Sequence, residues 1–373
     1  MKAIAFLGYF TSNQHALDND TLSLADNKMQ HGYIQAFRHL GKSSTLNLVT
    51  SEKELPKSES GQSYHDKIKK WIVIFIRLSR WSIASRKRDR YLFYYNILFP
   101  HVALAWLLKL LFGIKIIPIA ITLPYEYPNS PNGIIFKAKR NLSRILVKKS
   151  DAIIAITAKL AMHVCPDKPS LVINGGFSSL SGYGDLEQNT SGKFTIVYTG
   201  TLYDRYHIRD LISAINSIND VPGIVLKIYG RGPLKDFIEK ASVTDKRISY
   251  CGVVNTEEMQ SIQSGADLLV ALLDTKDKLA HYSFPSKIFE YLLVNRLMLV
   301  SNLDTIPSNM TDLMVTVKNE DSPEEIANAI RFAYNVSEGE LNEMKKKSRA
   351  NMTDFTWDAM GKKIDDLCKE MKS

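Results

Sequence analysis

The chain has 373 residues, 45% hydrophobic and 23% charged, with a formal net charge of +9. At roughly 100–200 residues per domain this length predicts two or three globular domains, and the composition excludes collagen-like, coiled-coil and disordered chains. Three cysteines, Cys165, Cys251 and Cys368, are odd in number and form no C-x-x-C pair, which argues against a disulfide framework or structural zinc and for a reduced, cytoplasmic setting.

In chain order, Ala3–Leu7 reads as a first strand rather than a signal sequence, because polar Thr11-Ser12-Asn13-Gln14 follows with no small-residue cleavage site. Further strands are expected at Thr45–Val49, Tyr91–Tyr95, Lys115–Ile121, Ala152–Ile156 and Leu171–Ile173, with helices between them. The greasy region Ala103–Leu123 contains Lys109, Gly113, Lys115 and Pro118, so it reads as helix, turn and strand rather than a membrane span. In the helix before Asp151, Ile135, Ala138, Leu142, Ile145 and Leu146 recur at helical spacing and leave the basic residues on the other face.

Residues 178–192 are rich in Ser and Gly and read as a linker. The alternation then restarts, with strands Phe194–Tyr198, Ile224–Tyr229, Ile248–Tyr250, Leu268–Leu272 and Leu297–Val300. The intervening helices are His207–Ile218, one from Leu234, Glu257–Gln263 and Lys287–Val294, and others follow Pro323 and Glu340. Alternating βα units of this kind predict an α/β fold of two doubly wound, Rossmann-like domains facing a cleft. The expected divisions are 1–177, a linker 178–192, 193–355, and a C-terminal crossover helix within 356–373. Met360, Ile364, Leu367 and Met371 give that helix an apolar face to lay back on the first domain.

Charge is divided between the halves. Residues 1–175 carry 25 Lys/Arg against 11 Asp/Glu, a balance of +14, and the remainder is net acidic. Two clusters dominate: residues 64–90, around Trp71-Ile72-Val73-Ile74-Phe75-Ile76, and Lys137–Lys149. Each reads either as a solvated helix face or as an interfacial surface for anionic lipid. Charge alone supports nucleic-acid binding, with no recognised module, and no nucleic-acid partner is expected.

The most informative stretch runs from His281 to Leu293. Ser286 is a candidate N-cap, and Lys287, Glu290 and Tyr291 fall on the arc opposite Ile288, Phe289, Leu292 and Leu293. A helix start with a lysine suits phosphate, and a carboxylate one turn on can accept from a ribose diol. Together they would hold a nucleoside diphosphate without metal. A plain Lys–Glu surface pair is the alternative. Gly200 in Tyr198-Thr199-Gly200-Thr201, and Gly230-Arg231-Gly232-Pro233, sit at strand ends where backbone can approach a ligand. Asp18-Asn19-Asp20 looks like a metal-holding D-x-D but reads better as a loop turn. No zincin, G-x-S-x-G or P-loop motif occurs.

In this order these segments resemble the GT-B glycosyltransferases, in particular glycosyltransferase family 4. The likeness is carried by the Gly200 and Gly230–Pro233 turns, Tyr250-Cys251-Gly252-Val253, Gly265-Ala266-Asp267-Leu268 and Phe284-Pro285-Ser286-Lys287-Ile288-Phe289-Glu290. In the first half, Lys149–Thr157 and Val172–Gly176 carry it. The resemblance implies retaining sugar transfer from a nucleotide-sugar with no metal or other cofactor. The donor site it implies comprises Gly200, Thr201, Arg205, Gly230, Arg231, Gly232, Val253, Tyr282, Phe284, Pro285, Ser286, Lys287 and Glu290. Lys287 and Glu126 would act at the reacting end, and Asn13, Tyr125 and Glu126 at the acceptor. The sequence departs from the family where Tyr282 replaces a first glutamate, and where Thr201, Tyr206 and His207 replace basic and Lys-Gly positions. Arg205, Arg209 or Lys287 would then serve the pyrophosphate. The acceptor expected is a saccharide, lipid-linked, in bacterial surface-polysaccharide synthesis on the inner membrane face. A nucleotide-sugar epimerase or hydrolase and a non-catalytic partner subunit remain open.

Overall fold

The computed structural model describes residues 2–10, 24–38, 40, 45–50, 64–123, 133–180 and 192–371. The chain divides into two compact units, residues 1–178 with 355–373 and residues 179–354. Each holds a six-stranded, wholly parallel sheet with helices around it, the α/β class expected.

The first unit runs β1 (Lys2–Gly8), α1 (Leu24–Arg38), β2 (Thr45–Thr50), α2 (Tyr64–Ala84), β3 (Asp89–Tyr95), α3 (Phe99–Phe112), β4 (Lys115–Ala120), α4 (Ile134–Val147), β5 (Ile153–Ala155), α5 (Ala158–Val164) and β6 (Ser170–Val172). Its strand order is β2-β1-β3-β4-β5-β6. Central strands β1, β3 and β4 are continuous apolar runs because both faces of a parallel sheet are covered. Gly113 in the left-handed region closes α3 by giving its N–H to the Lys109 carbonyl at 2.8 Å, and Thr157 caps α5 through Leu160 N–H.

The second unit runs β7 (Thr195–Thr199), α6 (Ile208–Ser217), β8 (Val225–Tyr229), α7 (Lys235–Thr244), β9 (Ile248–Tyr250), α8 (Thr256–Ser264), β10 (Leu268–Ala271), α9 (Lys287–Val294), β11 (Leu297–Ser301), β12 (Met314–Val317), α10 (Pro323–Asn335) and α11 (Glu338–Asn351). The order is β12-β11-β10-β7-β8-β9. Strand β12 was not expected from sequence. It is a short edge strand whose Val315 and Val317 point inward while Thr316 is exposed.

The apolar stripe of α4 does not do what its spacing suggests. Ile135, Ala138, Leu142 and Ile145 are exposed, and of the five stripe residues only Leu146 is buried, beside Ser143 and Val147. Helix α4 is held through this narrower edge against α3, and α3 in turn packs on α2. On α2, Ile68, Ile72, Val73, Ile76 and Ile83 are exposed among Lys69, Arg77 and Arg80, and Leu110 and Leu111 of α3 are also exposed.

The last helix, α12 (Trp357–Glu370), belongs to the first unit and packs on α1. Phe177 N–H donates to the Phe355 carbonyl at 2.8 Å, and Trp357 N–H donates back to Phe177 at 3.0 Å. The Trp357 ring meets Tyr33 at 5.2 Å and fills the space a side chain at Gly32 would need, since a Cβ there would lie 1.9 Å from its Cε2. Lys2 pairs with Asp365, and Tyr91 Oη–H donates to the Cys368 carbonyl at 3.0 Å. A Cβ at Gly361 would come within 2.6 Å of the Ala36 carbonyl, so α1 and α12 touch backbone to backbone.

Gly361→Ala is therefore expected to destabilise the protein by about 1–3 kcal/mol through overpacking. Gly339→Ala, in open space on α11, should be neutral or slightly stabilising. Thermal denaturation of the two variants checks both.

Candidate active site

At the carboxyl ends of the second sheet, three strand-end turns are tied to one another by backbone. Gly200 N–H donates to the Tyr229 carbonyl at 2.9 Å, Leu202 N–H to Arg231 at 2.9 Å, and Gly230 N–H to Gly252 at 2.8 Å. Gly200 and Gly230 have φ of +135° and +140°, and a Cβ on Gly230 would fall 1.7 Å from the Gly200 carbonyl oxygen. Glycine at 230 is thus required by neighbouring backbone, and the close approach expected toward a ligand is an approach to the next turn. Gly232 is similarly pressed on Leu202, where a Cβ would lie 2.5 Å from its carbonyl oxygen.

Into this rim projects Lys287, the first residue of α9. Its Nζ lies 4.1 Å from the centroid of the Tyr198 ring and 5.2 Å from that of Tyr206. A Cβ on Gly200 would come within 2.6 Å of both Cε and Nζ, so the lysine fits only because residue 200 has no side chain. Ring faces attract the ammonium but replace little of its lost hydration. Burial pushes Lys287 down to about 7, against the opposing pull of the Glu290 carboxylate.

Two other cations in the segment after β7 have carboxylate partners. Arg205 reaches Asp277 at 3.3 Å, and Arg209 is paired with Asp204 at 2.8 Å with its guanidinium over Phe237. Among the described residues Lys287 has no ion-pair or hydrogen-bond partner. Arg231, on the Gly230 turn, is exposed.

Helix α9 differs from expectation in two ways. Ser286 has helical dihedrals and makes no side-chain capping bond, so it is not the N-cap its type suggests. Phe289 N–H instead reaches the Ser286 carbonyl and Ile288 N–H that of Pro285. Tyr291 is not on the open face with Lys287 and Glu290 but fully buried. Its hydroxyl donates to the Val270 carbonyl at 3.1 Å and lies 3.1 Å from Thr199 Oγ1, joining β10 and β7 beneath the helix. Glu290 remains exposed on the open face, three residues from Lys287.

Of the remaining expected donor residues, Thr201 is exposed and its carbonyl accepts from Tyr198 Oη–H at 2.6 Å. Arg231 and Val253 are exposed on the Gly230 and Gly252 turns. Tyr282 ends a short helical turn, Ala280–Tyr282, and Phe284 is buried with its ring 5.4 Å from that of Phe289. Pro285 precedes the helix start. Gly200, Lys287 and the Gly230 turn are brought together, with Tyr198 and Tyr206 as partners the sequence did not single out. The alternation of strand Tyr198 and loop Tyr206 around Gly200 was the available signal.

Asn13, Tyr125, Glu126 and the Asp18-Asn19-Asp20 run lie outside the described residues. At the carboxyl end of β3 in the first unit, sequence reasoning missed a buried titratable group. Tyr95 Oη–H donates to Asp26 Oδ1 at 3.3 Å, and burial raises the Asp26 carboxyl. His101, held by Nδ1 at 2.9 Å from the Tyr95 carbonyl, is pushed down to about 4 by burial.

No family model matches the sequence, and no curated protein matches it. Solved structures match over the whole chain. Sucrose-phosphate synthase from Thermosynechococcus elongatus is 12% identical, covering 100% of this chain and 99% of its own, with a TM-score of 0.64. A trehalose-6-phosphate synthase is 11% identical over 98% and 99%, at 0.64. Anabaena HepE, solved in complex with UDP-glucose, is 10% identical over 99% of both chains, at 0.61. The chain shares the two-unit fold of these proteins.

Below pH 7 Lys287 is charged in both folded and unfolded chains, and its burial opposes folding. The unfolded lysine titrates near 10.4, so the ligand-free protein should gain stability from this group as pH rises from about 7 toward 10, where the unfolded state binds the extra proton. Lys287→Met should raise the ligand-free Tm at pH 6.5 and flatten that part of the stability–pH profile, as read by calorimetry.

Proposed function

We propose that the protein is a glycosyltransferase that takes a sugar from a nucleotide-sugar and passes it, with retention, to a saccharide acceptor carried on lipid. The observation that carries this reading is the half-buried Lys287 ammonium, in contact with aromatic rings and without a hydrogen-bonded carboxylate among the described residues, at the strand-end rim of a fold shared with proteins whose structures hold UDP and UDP-glucose. A cation in that state is stabilised by a diphosphate more than by any group the chain itself supplies. Lys287 and the start of α9 would take the diphosphate and Glu290 the ribose hydroxyls. The exposed turns at Thr201, Arg231 and Val253 would border the nucleotide, with Arg205, Tyr282, Phe284, Pro285 and Ser286 around it.

In the transfer, the bond between the anomeric carbon and the β-phosphate oxygen breaks and its electron pair stays on that oxygen. The acceptor hydroxyl forms the new glycosidic bond, and its proton passes to the leaving phosphate. Lys287 offsets the charge that develops there, and no metal is needed for this step. Glu126, with Tyr125 and Asn13, is assigned to the acceptor from sequence alone.

UDP-glucose titrated calorimetrically should bind, and Lys287→Ala should weaken it at least tenfold, with Glu290→Ala also weaker. Wild-type affinity should fall as pH rises above 7, with proton uptake on binding, because the anion favours the charged lysine. UDP should be released only when acceptor is present. Release without acceptor would point to a hydrolase, and no heat from UDP- or GDP-sugars would mark a non-catalytic subunit.

The lipid-linked acceptor rests on the face of α2, α3 and α4. Ile134 is 87% exposed and Ile72 51%, and the same helices carry Lys69, Arg77, Arg80, Lys137, Lys139 and Arg144 with no acidic residue on α4. Apolar side chains open to water beside a dense positive charge match an anionic bilayer surface. Among the described residues no helix is long and apolar enough to cross a membrane. The protein should co-sediment with vesicles containing phosphatidylglycerol and not with neutral ones. Ile134→Ser with Ile135→Ser should reduce that binding several-fold without changing UDP-glucose affinity, and equal binding to neutral vesicles would remove this part of the reading.

A further inference from the structure

Next to Tyr206 in the chain, the segments that follow three strands come together. His207 follows β7 and begins α6, Asp274 follows β10, and Glu320 follows β12. His207 is 6% exposed and Glu320 2%. One ligand atom from each of His207, Asp274 and Glu320 lies within 4.8 Å of the others.

We propose that these three residues bind a divalent cation of the Zn²⁺ or Mn²⁺ type. An acidic cluster alone would not carry this; the two orphaned acceptors in it do. His207 Nδ1 lies 2.9 Å from Asp210 Oδ2 and 3.5 Å from Asp321 Oδ1, an arrangement that places the imidazole proton on Nδ1. Nε2 is then a lone pair, and it is buried with no partner among the described residues. Glu320 Oε1 accepts from Thr275 N–H at 2.5 Å and Thr275 Oγ1 at 2.6 Å, while its Oε2 is also buried and partnerless. Two buried acceptors in one cluster, each lacking a donor, would be stabilised by a shared cation.

The surroundings favour the same occupant. A carboxylate on Nδ1 of a histidine whose Nε2 is free is the arrangement that orients metal-binding imidazoles. Lys276 is hydrogen-bonded to Asp321 and feels Asp274 and Glu320 as weaker, longer-range charges, while Arg205 pairs with Asp277. One imidazole nitrogen with carboxylate oxygens suits Zn²⁺ or Mn²⁺ better than Ca²⁺, which takes an all-oxygen shell. The other cluster sharing His207, with Asp210 and Asp321, is disfavoured because both carboxylates already have partners. This departs from the sequence-based expectation of no metal, and it does not depend on the proposed sugar transfer. The ion would join the ends of β7, β10 and β12 next to Tyr206, whose ring backs Lys287.

The test is calorimetric titration of Zn²⁺ and of Mn²⁺ into the full-length protein after chelator treatment. One equivalent of one of them should bind, raising the Tm. His207→Gln and Glu320→Gln should each weaken that binding at least tenfold, whereas Asp304→Asn, at the exposed His281–Asp304 pair, should not. Where a variant does not fold, X-ray absorption at the metal edge of the wild type decides, with one imidazole and oxygen donors expected. No uptake of either ion, unchanged affinity in both variants, or a shell containing sulfur or several imidazoles would overturn the proposal.

Discussion

A half-buried ammonium packed against aromatic rings constrains the strand-end rim of the second unit. Lys287 has its place only because Gly200 lacks a side chain and because Tyr198 and Tyr206 present ring faces to it. Those three residues come from the end of β7 and the loop beyond it, and Lys287 comes from the start of α9. The position of α9 is in turn fixed from below by Tyr291, whose hydroxyl bonds two strands. A buried tyrosine thus holds a helix so that its first residue meets the rim.

Most of the architecture was legible because a parallel sheet buried on both faces writes itself as unbroken apolar runs. Strands such as Ala3–Leu7 and Phe194–Tyr198 appear within one or two residues of their expected bounds. Strand β12 escaped because its four residues alternate at an edge and carry no long apolar run. Periodicity gave the α4 helix but not its direction, since spacing shows that one face is apolar without showing whether protein covers it. Lys287 and Glu290 were legible as residue types at a helix start. Tyr291 was misplaced because its hydroxyl finds partners on strands distant in sequence. His207 and Glu320, 113 positions apart by their numbering, had no local pattern to connect them.

The charge division acquires a structural meaning once the helices are in place. The basic excess of the first half is concentrated on helices whose outward sides are also apolar. The glycine turns of the second unit teach a related lesson: Gly230 and Gly232 are demanded by the neighbouring loop's carbonyls, so a glycine near a site is a statement about backbone crowding before it is one about ligand access.

The docking of α12 on α1 sets an order of events during synthesis. Trp357 and the backbone of Gly361 complete the surface around Gly32 and Tyr33, yet they leave the ribosome only after all of residues 179–354. The flank of α1 therefore stays uncovered while the second unit is made. Closure of the surface around Gly32 is in this way tied to synthesis of Trp357 and the residues after it, and a chain stalled before Trp357 would present an unsealed seam to the quality-control machinery of the cell.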